Sequence, residues 1–270
     1  MELKLKSEED QKIEETLSKI KYKIAVLSGK GGTGKTTVTV NIAQTLADKG
    51  YKVGILDADI TGPNVPLMLG VENEQLMSEG NKILPIEAGN VKVVSMEFLL
   101  EDKSKAIIWR GPLKIKGLKQ LIGDVAWGEL DFLIVDLPPG SSDEPLSIVQ
   151  TIKDLNGMIV VTTPQAVSLL DVRKSINFAN VTNTPILGIV ENMSGFKCEH
   201  CGNITYIFAK DGGKNVAQML NIPFLGAVPL IPKICEAGDI GKPAVKLDDL
   251  TKSVFDEIVT KMLGNINKEK

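Results

Sequence analysis

A glycine-rich segment with two lysines carries the clearest chemistry in this sequence. Residues 28–37 read SGKGGTGKTT, follow a short apolar run and precede a helical pattern. This order satisfies the G-x-x-x-x-G-K-[ST] pattern, in which glycines let backbone N–H groups converge on an anion at the start of a helix. The segment therefore predicts a phosphate-binding loop made of Gly29, Lys30, Gly31, Gly32, Thr33, Gly34, Lys35, Thr36 and Thr37.

Further side chains that could act on phosphates lie in this loop and after two other apolar runs. We expect Lys35 to reach the β- and γ-phosphates of a nucleotide, and the Thr36 hydroxyl to ligate Mg²⁺. Asp136 ends the run FLIVD before a Pro-Pro-Gly turn, where its carboxylate could hold the metal directly or through water. Asp57 ends a second run and Asp59 follows it. Either could orient the attacking water or bind the metal, and Asp59 could also be a turn residue.

Two cysteines are spaced as metal ligands. Cys198 and Cys201 form a C-x-x-C motif, and Gly202 favours the tight turn that would bring both thiolates onto one metal. A closed zinc site or a [4Fe–4S] cluster usually needs four ligands, so a complete site requires one pair from each of two chains. Thiolates accept zinc as well as iron, and a redox-active pair is a third alternative.

The single histidine and the third cysteine are not expected to be metal ligands. His200 stands between the two motif cysteines and could be a ligand, but we expect it to be an exposed turn residue. Cys235 is distant from the pair in sequence. We expect it to be a small buried apolar side chain.

Short apolar runs alternate with helical patterns along the chain. The helical patterns lie at residues 37–49 and 169–180. The apolar runs lie at residues 22–27, 52–56, 91–95, 132–135, 158–162 and 185–190. Because strands that alternate with helices need crossover connections, we predict an α/β fold with a doubly wound, mostly parallel sheet flanked by helices.

The same patterns predict how the chain is divided. We expect a helical extension over residues 1–20, followed by a single domain over residues 21–270 with a metal-binding C-x-x-C insert near residues 196–206. Residues 71–90 are expected to be an excursion between sheet elements. Residues 250–263 are expected to form a helix docked on the sheet rather than on a membrane, because no basic cluster flanks them.

Composition excludes several classes of protein. The 270 residues include 31 basic and 34 acidic side chains, which give a net charge of −3 and argue against nucleic-acid binding. No stretch has the roughly 20 apolar residues of a membrane helix, and the charged N-terminus has no secretory apolar segment. Three cysteines do not form a disulfide framework. We therefore expect a cytoplasmic protein with neither a nucleic-acid nor a membrane partner.

In the order and the residues of its motifs, the sequence resembles the Mrp/ApbC family of nucleotide-binding iron–sulfur carrier proteins. This family belongs to the larger class that includes MinD, ParA and the nitrogenase iron protein. The resemblance covers roughly residues 23–243 and rests on the segments GKGGTGKTT, DADITGPNVP, WRGPL, WGELDFLIVDLPPGSSDEPLS, TTPQAVSLLDVRK, ENMSGFKCEHCG and IPFLGAVPL. Thr33 stands where family members often have Val, and SSD where they often have TGD, changes that should not disturb phosphate binding.

The resemblance implies a P-loop NTPase with low ATPase turnover that works as a homodimer. It implies a [4Fe–4S] cluster bridging two C-x-x-C motifs and passed to apo iron–sulfur proteins. Asn192 would hydrogen-bond adenine, Asp59 would lie in switch I and Asp136 in switch II. Lys30 would act on the nucleotide of the partner chain, as in the deviant form of the loop. Two alternatives are a MinD- or ParA-like positioning ATPase and a nucleotide-binding dimer stapled by zinc.

Overall fold

The architecture was examined in a computed structural model of the chain. The structure describes residues 7–59, 62–99, 111–165, 168–198 and 200–267. The first six residues of the predicted extension lie outside this part of the chain. So do Trp109 and Arg110 of the WRGPL segment, and the middle of DADITGPNVP.

Six of the strands follow the six apolar runs of the sequence. β-Branched and aliphatic side chains fill them, as expected for strands with helices on both faces. In the described residues the strands are β1 (Ile20–Ser28), β2 (Val53–Asp57), β3 (Ser78–Glu79), β4 (Lys82–Ile83), β5 (Ile86–Ala88), β6 (Val91–Ser95), β7 (Leu130–Asp136), β8 (Gly157–Thr162), β9 (Ile186–Glu191), β10 (Phe196–Lys197), β11 (Ile204–Thr205) and β12 (Phe224–Ala227).

The helices mostly occupy the segments between these strands. Over the described ranges they are α1 (Glu8–Ser18), α2 (Lys35–Asp48), α3 (Val65–Met68), α4 (Gly111–Gly123), α5 (Asp143–Ile152), α6 (Ser168–Val181), α7 (Gly212–Met219), α8 (Pro232–Asp239) and α9 (Asp249–Ile266). Short 3₁₀ turns cover Met96–Leu99 and Ala244–Lys246. None of the helices described has the length and apolar character needed to cross a membrane.

One large sheet organises the fold. In the described chain its eight strands run in the order β12-β9-β8-β1-β7-β2-β6-β5. Every neighbouring pair is parallel except β5 with β6. The doubly wound, mostly parallel sheet is therefore confirmed. The excursion at residues 71–90 contributes more than expected, because it holds the β3–β4 hairpin and the antiparallel edge strand β5.

Apolar helix faces cover both sides of this sheet. One buried cluster joins α2 and α9 to the sheet, and a second joins α1, α4 and α5 to its other face. A smaller cluster lies beneath α6 and α7. The sheet is buried on both sides, so functional side chains can reach solvent only at its ends.

The final helix packs on the sheet, as predicted. Phe255, Ile258, Val259 and Met262 are fully buried in the cluster that also contains α2. The helix begins at Asp248, whose carboxylate accepts hydrogen bonds from the Thr251 backbone N–H and hydroxyl, each at 2.7 Å. Burial alone would raise the pKa of Asp248, but the hydrogen bonds from Thr251 outweigh it and lower the pKa below its usual value.

We predict that Asp248→Ala destabilises the protein by about 1 kcal/mol at pH 7, because an N-cap bond is lost. A carboxyl with a lowered folded pKa stabilises the fold above its unfolded pKa and loses that contribution as pH falls through the folded pKa. The difference between variant and wild type should therefore shrink in acid. Urea unfolding at several pH values measures it. Asp249→Ala, at an exposed neighbour, should cost less than about 0.5 kcal/mol. An equal loss in both variants would contradict the prediction.

Candidate functional site

The candidate site lies at the carboxyl edge of the sheet, where three adjacent parallel strands end. Asp57 at the end of β2 is in register with Asp136 at the end of β7, and with Ser95 at the end of β6. The glycine-rich loop leaves β1, which pairs with β7 on the other side. The sheet order therefore brings the loop and both carboxylates to one edge, as expected of ligand sites in parallel α/β folds.

Two glycines of the loop are required by close contacts. Gly34 has φ +77°, and a Cβ atom there would lie 2.0 Å from the Asn192 Nδ2 atom. At Gly29 a Cβ would lie 2.5 Å from the Cβ of Asp171 at the start of α6. Because no side chain intrudes, the loop can pass between α6 and Asn192 and enter α2 at Lys35.

The Asp136 carboxylate binds the first turn of α2. Its Oδ2 atom lies 2.6 Å from Lys35 Nζ and accepts a hydrogen bond of 2.7 Å from the Thr36 hydroxyl. Its Oδ1 atom accepts a bond of 2.6 Å from the Thr39 hydroxyl. Lys35 and Asp136 are both buried, so the lysine provides the positive charge that a buried carboxylate needs.

Thr36 and Asp136 fit the role of magnesium ligands. They are hard oxygen donors that already meet at one point, and Mg²⁺ prefers such donors. Magnesium bound there would supply positive charge to phosphate oxygens. Sequence reasoning missed Thr39, although it follows Thr36 by three residues, the spacing that places two side chains on one helix face.

Asp57 does not face the space in which a nucleotide could lie. It is fully buried between the ends of β6 and β7, and its carboxylate accepts hydrogen bonds from the Ser95 hydroxyl and from two backbone N–H groups of the segment after β2 and the start of α3. Burial, together with the charge of Asp136, raises the pKa of Asp57 well above its usual value, although Lys35 opposes this effect. Of the two aspartates only Asp59 lines the open space, which favours Asp59 over Asp57 as the residue that orients water or binds the metal.

A cavity of about 510 Å³ opens above the loop. Its size is within the usual range of small-molecule sites. The Thr33 hydroxyl oxygen is buried at its wall and has no hydrogen-bond partner within the described part of the chain, so a polar ligand could satisfy it. The predicted site residues that line the cavity are Gly31, Gly32, Thr33, Gly34, Lys35, Thr36, Thr37, Asp59 and Asn192.

Three other predicted residues lie behind or beside this space. Asp136 is covered by Lys35 and Thr36. Gly29 and Lys30 belong to the loop but do not line the cavity. The Lys30 Nζ atom, which is partly exposed, lies 3.9 Å from the Asp171 Oδ2 atom. Its predicted action on a partner chain stays a prediction.

The far wall of the cavity is apolar and was not predicted. Its residues come from α3, α8 and the segments after β9 and β12, and they are Leu67, Met68, Met193, Pro229, Leu230, Ile231 and Ile234. No local pattern distinguishes them from ordinary core residues. A planar apolar group could pack there while its polar end reaches the loop.

Asn192 joins the polar and apolar walls. Its backbone N–H donates to the Thr162 carbonyl at 2.7 Å, which continues the end of β9. Its Nδ2 atom donates to the Thr33 carbonyl at 2.9 Å. One N–H of the side-chain amide is thus engaged by the loop, which leaves the amide oxygen and the second N–H for a ligand.

The two motif cysteines occupy the turn of a small hairpin formed by β10 and β11. The Cys198 N–H donates to the Asn203 carbonyl at 2.9 Å, and the Gly202 N–H donates to the Cys198 carbonyl at 2.8 Å. Cys198 is half-buried and Cys201 is exposed, and neither forms a disulfide. His200 is exposed as expected.

The cysteine pair has no third ligand in its own chain as far as the structure describes it. The described residues contain no group of three or more histidine, cysteine or acidic side chains that could hold a metal. The expectation for Cys235 is wrong: its thiol is exposed and lines the cavity. The α8 helix turns its neighbour Ala237 into the core instead, so Cys235 faces outward.

The hairpin is attached to the wall of the cavity. The Ser194 N–H donates to the Val228 carbonyl, and the Leu230 N–H donates to the Gly195 carbonyl, each at 2.9 Å. Phe196 at the start of β10 forms a parallel bridge with Leu230. Leu230 itself lines the cavity, so one short segment contacts both candidate sites.

The model of the NUBPL iron-transfer P-loop NTPases, a ParA-type family, matches residues 19–263. The chain belongs to this family. It is therefore a P-loop NTPase, and the predicted resemblance to iron–sulfur carriers is confirmed.

Proteins similar to this chain over most of its length include named iron–sulfur proteins and a solved nucleotide-binding protein. The iron–sulfur cluster carrier protein of Methanocaldococcus jannaschii is 50% identical over 268 residues, 99% of this chain and 92% of that protein. The cytosolic Fe–S cluster assembly factor CFD1 of Saccharomyces cerevisiae is 49% identical over 228 residues, 82% and 78% of the two chains. A nucleotide-binding protein of Archaeoglobus fulgidus, solved with ADP, has a TM-score of 0.80 at 39% identity and covers 89% and 94% of the two chains.

We predict that Gly34→Ala weakens ADP binding about tenfold or more. A Cβ there would displace Asn192 and also occupy a left-handed conformation, a strain of about 1–3 kcal/mol, and 1.4 kcal/mol is tenfold in affinity. Calorimetric titration with ADP measures it. Gly50→Ala is the matched control, because Gly50 has φ +89° but its Cβ would meet no atom within 4 Å. Wild-type affinity in Gly34→Ala would contradict the required contact.

Proposed function

We propose that this protein is an ATP-dependent iron–sulfur cluster carrier that works in the cytoplasm as a homodimer. Each chain contributes Cys198 and Cys201 to one bridging [4Fe–4S] cluster, which the dimer transfers to apo iron–sulfur proteins. The observation that carries the proposal is the exposed two-cysteine hairpin attached to the wall of a nucleotide-sized cavity. The names of the relatives in M. jannaschii and S. cerevisiae agree with it.

The incomplete ligand set supports the homodimer. A [4Fe–4S] cluster takes four thiolates, and the hairpin offers two. Residues beside the pair also expose apolar side chains that a second chain would cover: Ile204, Tyr206, Ile207 and Phe208. Adjacent apolar groups of this kind are typical of protein contact surfaces.

We predict that anaerobic reconstitution gives about four irons and four sulfides per dimer, with a visible charge-transfer band. Cys198→Ala with Cys201→Ala should abolish both the iron content and the band. Cys235→Ala is the matched control, since it removes an exposed thiol that lies on α8 rather than on the hairpin. Iron retained in the double variant would contradict the proposal. One zinc per dimer in place of iron would support the stapled dimer instead.

In the proposed nucleotide site each residue has a distinct task. Lys35 and the loop amides bind phosphates, and Thr36 with Asp136 holds magnesium. Asp59, at the open side of the cavity, orients water for a slow hydrolysis. Lys30 contacts the nucleotide of the second chain, where its charge would stabilise the transition state of phosphoryl transfer. This task requires Lys30 to leave Asp171, 3.9 Å away.

Asn192 sets the preference for adenine in this proposal. Its Nδ2 atom is bonded to Thr33, so its Oδ1 atom is left to accept a hydrogen bond from the ligand. The amino group of adenine can donate that bond, whereas the carbonyl group of guanine at the same ring position cannot. The apolar wall would pack on the base.

We predict that Asn192→Ala reduces the ratio of ATP to GTP affinity about tenfold, because one buried base contact worth about 1–1.5 kcal/mol is lost for ATP alone. Competition binding with both nucleotides measures this ratio. The lost hydrogen bond to the Thr33 carbonyl should change the affinities for ATP and GTP by the same factor. The ratio of the two affinities therefore reports only the contact with the base. If both affinities fell by the same factor, Asn192 would shape the loop without reading the base.

The shared wall offers a route by which nucleotide could influence the cluster. Leu230 lines the cavity and is bonded to Gly195, three residues before Cys198. A nucleotide that shifted this segment would move the base of the hairpin. Gating requires that nucleotide bind two arrangements of the dimer with different affinity. Equal transfer rates with ATP, with ADP and without nucleotide would exclude gating.

A further inference from the structure

The end of β2 contains a buried acidic side chain that none of the tasks above uses. Asp57 is fully buried, directly beside Asp136 in the sheet. Lys35 forms its ion pair with Asp136 at 2.6 Å. A buried carboxylate is costly unless strong donors surround it. The burial of Asp57 at the strand end therefore needs a physical explanation.

The reason lies in the three donors that contact its carboxylate. Asp57 Oδ1 accepts a hydrogen bond of 3.2 Å from the backbone N–H of Asp59. Asp57 Oδ2 accepts one of 3.3 Å from the Val65 N–H, at the start of α3, and one of 3.0 Å from the Ser95 hydroxyl. The Ser95 hydroxyl also accepts from the Glu97 N–H at 3.1 Å.

These bonds tie both ends of one segment to the same anchor. Asp59 lies near the start of the segment that connects β2 to α3, and Val65 follows its other end as the first residue of α3. Asp59 lines the cavity, and its own Oδ1 accepts from the Gly62 N–H at 3.2 Å. A carboxylate offers two oxygens with about four acceptor sites, so one side chain can hold donors from both ends of the segment at once.

We propose that Asp57 is the positioning residue of the nucleotide site: it fixes the Asp59 backbone at the cavity, with Ser95 orienting the Asp57 carboxylate. Asp57 touches neither nucleotide nor metal in this role. The inference rests on the proposed ATPase function for its kinetic consequence, but the positioning itself is a property of the chain alone.

The test compares Asp57→Asn, Asp57→Ala and Ser95→Ala with wild type. Asparagine keeps one acceptor oxygen but presents an amino group that cannot accept from Val65 and Ser95. Thr16→Ala is the control. It removes another buried hydroxyl bond, to the Gly123 carbonyl at 3.0 Å on the opposite face of the sheet.

The first readout is amide hydrogen exchange in the protein without nucleotide or cluster. Exchange at Val65 should accelerate about fivefold or more in both Asp57 variants, and exchange at Asp59 should do so in Asp57→Ala, since these amides lose their acceptor; the effect in Ser95→Ala should be smaller. The sheet should exchange as in wild type. Unchanged exchange at Asp59 and Val65, or acceleration throughout the chain as in global destabilisation, would overturn the proposal.

The second readout separates positioning from binding. Turnover of ATP should fall about tenfold in Asp57→Ala, which removes the acceptor of the Asp59 amide, while the affinity for ADP stays within about threefold of wild type, since the loop and Lys35 are untouched. Equal losses of turnover and ADP affinity would overturn the positioning role. If wild type showed no turnover, the proposed ATPase would fail on that ground, and the exchange comparison would still decide the role of Asp57.

Discussion

The buried ion pair between Lys35 and Asp136 determines how the candidate site is assembled. It joins the first turn of α2 to the end of β7, and the hydroxyls of Thr36 and Thr39 donate further hydrogen bonds to the Asp136 carboxylate. Removing one partner of such a pair typically costs about 3–5 kcal/mol, because the remaining charge is buried alone. The pair also prepares both groups for a ligand. When a nucleotide binds, Lys35 can form an ion pair with its phosphate in place of Asp136. The Asp136 carboxylate and the Thr36 hydroxyl can then bind a metal ion.

A second consequence is that the neighbouring carboxylate must be stabilised in another way. Lys35 is engaged with Asp136, and the adjacent Asp57 relies on hydrogen bonds from backbone amides and a serine hydroxyl. Its pKa is raised well above the usual value by burial and by Asp136. The adjacent strand ends thus carry two acidic side chains, one paired with a lysine and the other surrounded by neutral hydrogen-bond donors. One faces the loop that binds phosphate, and the other holds the segment that carries Asp59.

Much of this arrangement could be predicted from sequence, and the part that could not has a common cause. The loop, Asp136, Asn192 and the cysteine pair are recognisable because their chemistry depends on local spacing or on a characteristic motif. The partnership of Asp57 with Ser95 depends on β6 lying beside β2, and a strand's neighbour is set by the whole chain. The apolar wall around Leu230 and Ile234 was missed for the same reason. Cys235 was assigned to the core because a free cysteine is usually a small buried side chain, whereas in α8 Ala237 takes the buried position.

The divided cysteine site has a physical logic that follows from the proposed function. A closed site with four thiolates in one chain would hold its metal without reference to anything else. A site made of two halves holds a cluster only while two chains remain together, so its affinity is tied to dimerisation by linkage. Whatever changes the contact between the chains then changes retention of the cluster. Leu230 lines the nucleotide cavity and is hydrogen-bonded to the base of the hairpin. A shift of this segment on nucleotide binding would therefore change the contact between the two chains. An exposed pair of thiols with an apolar border is therefore better suited to loading and release than to permanent storage.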